Sequence, residues 1–241
     1  ALFQNCVNLK SVTLGSKTTF LAKQMFKGCT ALESINIPDT VTKIGIECFS
    51  DCTNLKSVSF GEKSQVTQIG QSCFANSGLE SIVLPASFTK FGGGTGYSST
   101  IGGSGKQFYN CKSLTSVEFK GKLEFICASV FEGCKALTSI ALPDRVTEIP
   151  NYAFRYDSTL ETVTFNKVTK IGKGAFSGTE SLKSVTLPAT LTAIASDAFL
   201  NSGLESITIP KGTTKIDSNA FNGCEKLTSV DFAAGTEAMT L

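Results

Sequence analysis

Apolar and polar positions recur along this chain in one short phrase. It reads Leu9-Lys-Ser-Val12-Thr-Leu14 and returns as Leu32-Glu-Ser-Ile35-Asn-Ile37, Leu55-Lys-Ser-Val58-Ser-Phe60 and Leu79-Glu-Ser-Ile82-Val-Leu84. It continues at Leu114, Leu137, Leu160, Leu182, Leu204 and Leu227, so there are ten copies, with leucine spacings of 23, 23, 24, 35, 23, 23, 22, 22 and 23. Alternation of apolar and polar residues predicts a short strand with Val/Ile pointing inward. Repetition at this period predicts a solenoid, in which each unit buries its apolar face against the next.

Each unit carries two further signals. A second group, apolar-Thr-x-Ile, follows the phrase at Val41–Ile44, Val66–Ile69, Val146–Ile149, Val168–Ile171 and Leu191–Ile194. Its β-branched residues predict a second, shorter strand. A segment of helix-like character then brings Phe at Phe49, Phe154, Phe176, Phe199 and Phe221. Pro38, Pro85, Pro143, Pro188 and Pro210 end the first strand in five units, because proline has no N–H for the ladder. Two residues after the Phe stands Asn, Gly or Asp in nearly every unit, with Tyr156 the exception. Those residue types tolerate left-handed backbone.

Two polar columns face outward. Ser or Thr precedes every Val/Ile of the phrase, and before it Lys10, Glu33, Lys56 and Glu80 alternate in sign. Opposite charges side by side on neighbouring strands set register. The predicted architecture is therefore one α/β repeat solenoid over residues 1–241, a right-handed superhelix of about ten coils, mostly strand and loop with short helical turns. One sheet lines a concave face and a weaker sheet lies opposite or beside it. Both termini cut through a repeat, which reads as a piece of a longer protein.

The 35-residue spacing comes from a Gly/Ser-rich insertion at 92–107, about twelve residues beyond the normal unit. Such a loop is solvated. It fails as a phosphate cradle, since Gly105-Lys106 is followed by Gln107 and the required earlier glycine is Thr100.

Composition narrows function mainly by what it removes. The chain has no His, so Ser-His-Asp and Cys-His catalysis are impossible. Acids lie scattered in solvent columns, and none occurs from Ser87 to Lys106. A formal charge of +2 from 22 basic and 20 acidic residues offers no field for nucleic acid or an anionic membrane. No run of ~18 apolar residues suggests a membrane-spanning helix. Of nine Cys, six (Cys6, Cys29, Cys52, Cys111, Cys134, Cys224) share one repeat position, filled elsewhere by Ser77, Asp157, Thr179 and Ser202. That exchange reads as small buried thiols rather than a disulfide framework. Bridges between stacked coils, ~4.8 Å apart, stay open as the alternative. Zinc is disfavoured because the Cys come one per coil. No cofactor or metal is expected. Aromatic residues supply the candidate partner-binding set: Tyr97 in the insertion, and Tyr109, Tyr152, Arg155 and Tyr156 near the Phe segments. Partial packing over neighbouring coils is the competing role.

Units such as Leu204-Glu-Ser-Ile-Thr-Ile-Pro210 followed by Ile216-Asp-Ser-Asn-Ala-Phe221-Asn-Gly-Cys224-Glu-Lys-Leu227 resemble the BspA-like, or Treponema pallidum-type, leucine-rich repeat. The resemblance covers the chain outside the insertion, with Phe88/Phe91 in place of the Val/Ile pair and Thr18 and Thr213 in place of Val. It implies a bacterial or protist surface protein that acts in adhesion or recognition outside the cell; the expected partner is a protein or glycan on another cell or matrix, bound without catalysis by a monomer. The alternative is a stalk presenting another domain.

Overall fold

The computed structural model describes residues 2–92 and 105–234. Tyr97 and most of the insertion lie outside the described residues. The phrase forms the longer strands. Ser34–Ile37, Ser57–Phe60, Ser81–Leu84 and Ser116–Phe119 make one parallel sheet. Ser139–Ala141 pairs with Thr162–Thr164, and Ser206–Ile209 with Ser229–Phe232. The register is one repeat: Ser34 faces Ser57 and Ile35 faces Val58. Most of these strands alternate exposed and buried residues as expected, so Ile35, Ile82 and Ile207 enter the core from the same side, whereas the last strand, Ser229–Phe232, is exposed throughout.

The second group forms two-residue strands. Phe20–Leu21, Lys43–Ile44, Gln68–Ile69 and Lys90–Phe91 make one parallel sheet. Glu148–Ile149, Lys170–Ile171, Ala193–Ile194 and Lys215–Ile216 make another. Phe91 pairs with Ile69 and is buried, so Phe88 and Phe91 occupy the Val and Ile places of their coil. A threonine column runs beside these strands. Thr42 Oγ1 donates to the Thr19 carbonyl and Thr67 Oγ1 to that of Thr42, and the pattern recurs at Thr169, Thr192 and Thr214.

Phenylalanine fills the third side. Ten rings, from Phe3 through Phe26, Phe49, Phe74, Phe108, Phe131, Phe154, Phe176 and Phe199 to Phe221, stack face to face with centroids 5.2–5.6 Å apart and planes within 13°. Nine contacts between ten rings mean nine turns of the solenoid. Stacked pairs of this kind contribute ~0.5–1.5 kcal/mol each beyond burial. Phe74 meets Phe108 at 5.5 Å, so the column passes the insertion unbroken.

The short helical turns expected here do not form; no helix occurs among the described residues. The reason is an alternation of backbone hand. The position two residues after each Phe is left-handed in all ten coils, with φ from 55° at Asn201 to 81° at Gly133. The position two residues before it is left-handed as well at Gln24, Glu47, Ser72, Lys106, Ser129, Tyr152, Gly174, Asp197 and Asn219, with φ of 50–60°. Alternating hand turns three N–H groups per coil the same way. Gln24, Phe26 and Gly28 donate to the carbonyls of Ile46, Cys48 and Ser50 at 2.8–2.9 Å. Ser72, Phe74 and Asn76 do the same to Gly105, Gln107 and Tyr109. A helical turn would direct these donors within its own coil; here they join one coil to the next.

The cysteine column completes this wall. Cys29, Cys52, Cys111 and Cys134 are buried, and each thiol donates to the carbonyl of the preceding coil's Phe at 2.9–3.1 Å. All nine thiols are free. Ser77, Thr179 and Ser202 take the same place with other partners: Thr179 Oγ1 donates to the Phe176 carbonyl of its own coil at 2.8 Å, and the Ser77 and Ser202 hydroxyls meet the Cys111 and Cys224 sulfurs of the next coil at 3.5 and 3.2 Å. Of the alternating charge column, Lys56–Glu80 closes at 3.6 Å and Lys183–Glu205 at 3.7 Å. Both pairs are exposed and contribute little.

Candidate functional site: a tyrosine-lined groove on the turn face

The residue following each stacked Phe varies from coil to coil, and in three successive coils it is aromatic or charged. There the residue following Phe is Tyr109, then Glu132, then Arg155. Stacking at one-repeat spacing places these side chains in a row. Arg155 Nε donates to Glu132 Oε1 at 2.8 Å, and Nη2 binds the same oxygen. Glu132 is 4% exposed. Burial opposes the charge on Arg155, but the bond and charge of Glu132 outweigh it and leave the guanidinium held above its ordinary pKa. Two aromatic rings grip the guanidinium: Tyr152 with its centroid 4.4 Å away and Tyr156 at 5.0 Å. Cation–π contacts of this length add ~0.5–2 kcal/mol.

Both tyrosines occupy left-handed positions, φ 60° at Tyr152 and 65° at Tyr156. Bulky residues there are true outliers. Their rings rest on the next coil, where two glycines stand beneath them. A Cβ on Gly174 would approach Tyr152 to 2.8 Å, and one on Gly178 would approach Tyr156 equally closely. Each pair is 22 residues apart, one repeat.

An open groove of ≈ 340 Å³ crosses four coils at this place, walled by Tyr109, Glu132, Arg155, Tyr156 and Glu180. Asn110 is in its floor, its amide donating to Asn76 Oδ1 at 2.8 Å, and Asn76 donates in turn to Asp51 Oδ1 at 2.8 Å. Lys106 Nζ sits 4.7 Å from the Tyr109 ring centroid. Directly behind the groove, Asp157 takes the cysteine place of its coil and is fully buried. Its Oδ1 accepts the Cys134 N–H at 2.7 Å, while Oδ2 has no partner. Burial pushes this carboxyl well above the usual range, against the opposing effect of the Cys134 and Gly133 amides.

Of the residues singled out from sequence, Tyr109, Arg155 and Tyr156 share the groove, and Tyr152 joins them through Arg155. Glu132, Asn110 and Glu180 were not among them. Glu132 was discoverable, since it precedes Arg155 by 23 residues, one repeat with opposite charge. Among the described residues no cluster of three or more potential ligands could hold a metal ion. No helix there is long and apolar enough to cross a membrane.

Parallel coils, a phrase leucine in each and a stacked Phe wall define a leucine-rich-repeat solenoid. The BspA type leucine rich repeat region, in six copies, matches residues 1–102 and 100–228, and the chain belongs to that family. The fold is similar to a leucine-rich repeat protein from Bacteroides ovatus, with a TM-score of 0.80 and 27% identity over 98% of this chain. The chain spans 64% of that protein's length. It is also similar to a leucine rich cell surface protein from Faecalibacterium prausnitzii, with a TM-score of 0.58, 24% identity, and 96% of this chain against 68% of that one. No curated protein matches.

Proposed function

We propose that this chain is a non-catalytic recognition module of the cell surface, binding a protein or glycan through the groove beside Tyr156. One observation carries the reading. Where nine turns repeat one backbone plan, the coil of Tyr152 and Tyr156 fills both left-handed positions with tyrosine, seats the rings on Gly174 and Gly178 and fixes Arg155 between them. Strained positions persist where the surroundings over-determine them, and they cluster at functional sites. The surface address rests on the family, and the F. prausnitzii relative is named as a cell surface protein. Replacing Tyr156 and Arg155 together by Ala should abolish adhesion of beads coated with the protein to cells or matrix. Adhesion unchanged by that double variant, or lost instead on deleting 93–105, moves the site away from the groove. Protease shaving of intact source cells tests the address, and light scattering tests the expected monomer.

A stalk that presents another domain is the second reading. The Phe column that passes the insertion without a gap favours it, because an unbroken wall makes a stiff rod. A stalk requires that the double variant leave adhesion of the whole protein intact.

A further inference from the structure

Resting on the recognition reading above, we infer that the groove takes an uncharged linear oligosaccharide laid along the solenoid axis. Four observations lead there. First, the charged groups around the groove are two acids, Glu132 and Glu180, and two bases, Lys135 and Arg155, so the formal charges cancel. Second, Nε and Nη2 of Arg155 both serve the nearly buried Glu132 carboxylate, so the pair meets a ligand as a neutral unit, and drawing the arginine off Glu132 would break it. Breaking such a pair is strongly unfavourable. Third, no aliphatic side chain lines the groove. A protein partner's anchor residue needs a well-packed, desolvated pocket, and this groove has none. Fourth, its walls pair ring faces with polar groups. Tyr156 is 53% exposed, and Asn110, Ser158 and the carboxylates offer donors and acceptors at short intervals. A sugar presents C–H groups on its ring faces and hydroxyls around its edge, and needs both kinds of surface at once. Aromatic rings give large contact area at little entropic cost.

The groove's length suits a chain. It crosses four coils ~4.8 Å apart. Its walls are rigid, because Asn110, Gly133, Tyr156 and Gly178 donate their N–H groups to the next coil and Tyr109, Glu132 and Arg155 donate theirs within their own. A preorganised site loses little on ordering its ligand.

Titration calorimetry with cellohexaose, chitohexaose, mannohexaose and maltohexaose tests this, with oligogalacturonate as the acidic comparator. At least one neutral oligomer should bind saturably, and oligogalacturonate should bind at least tenfold more weakly. Tyr156→Ala should weaken binding about tenfold, the worth of one lost ring face. Lys135→Trp, at an exposed rim position, should block the groove should Tyr156→Ala fold poorly. Sugar binding indifferent to both variants, or preference for the acidic oligomer, overturns the inference. A peptide-display library provides the separating arm. Peptides selected by the wild type and lost in Lys135→Trp, with no sugar bound, would leave the recognition reading standing and sink this one. Neither sugar nor peptide retained would sink both.

Discussion

A methyl group on Gly178 would lie 2.8 Å from Cδ1 of Tyr156, one repeat earlier in the chain. Gly178 also has φ 72°, where a side chain is disfavoured by ~1–2 kcal/mol. Gly178→Ala should therefore cost at least that much by urea denaturation and lift the Tyr156 ring off its seat. Tyrosine fluorescence of the folded variant should change with it. A variant as stable as wild type, with the same fluorescence, would show that the glycine does not hold the ring.

Phe154 lies between Phe131 at 5.5 Å and Phe176 at 5.3 Å, fully buried. Phe154→Ala should destabilise by ~3–5 kcal/mol. In a linear array, loss of one interface can also split the melt. A single unfolding transition at the wild-type midpoint would contradict the stacked wall.

Asp157 should make stability depend on pH in a direction unusual for a carboxylate. The folded state holds its proton more tightly than the unfolded chain, because burial raises its pKa. The stabilising effect is thus full below the ordinary carboxylate range and is lost as pH rises through the raised value. The other charged groups near it are Glu132, which adds to the effect, and Arg155, which Glu132 engages. Asp157→Cys restores the column's usual residue. It should raise the melting temperature at pH 7 and leave it nearly unchanged at pH 4. Equal shifts at both pH values would refute a protonated Asp157.

The thiols should divide by place. Burial pushes Cys111 up to about 12 and Cys52 up to about 12, which leaves almost no thiolate, the reactive form, at pH 8. Cys6 is exposed. Iodoacetamide on the native protein should mark Cys6 and spare Cys52 and Cys111, as peptide mass mapping would show. Labelling of Cys111 at a rate near that of Cys6 would mean the wall opens.

Much of the fold was readable because it is written ten times. The phrase leucines, the Phe column and the Asn/Gly/Asp position each declare themselves by residue type. The left-handed column before Phe does not. Gln24, Glu47, Ser72, Lys106 and Asp197 share no chemistry, and their φ is imposed by donors two and four residues onward that reach the next coil. A segment so shaped reads locally as a helical turn, and only stacking reveals otherwise. The groove was half legible. Tyr156 stood out as the exception in the Asn/Gly/Asp column, and Tyr109, Tyr152 and Arg155 stood out by residue type near the Phe segments. Glu132 looks like any solvent acid until it is aligned one repeat before Arg155, and Gly174 and Gly178 look like ordinary turn glycines until the rings above them are seen.

The turn ladder has an electrical consequence. In a parallel sheet amides point alternately to either neighbour, so their dipoles cancel along the stack. In the Phe wall the N–H groups of Gln24, Phe26 and Gly28, and their counterparts in later coils, all aim at the following coil. Peptide dipoles so aligned add, as they do in a helix, but here they accumulate over nine turns at right angles to the chain. The rod thereby acquires a sense, electropositive toward its higher-numbered coils, and whatever abuts the wall on that side meets amide hydrogens rather than carbonyl oxygens.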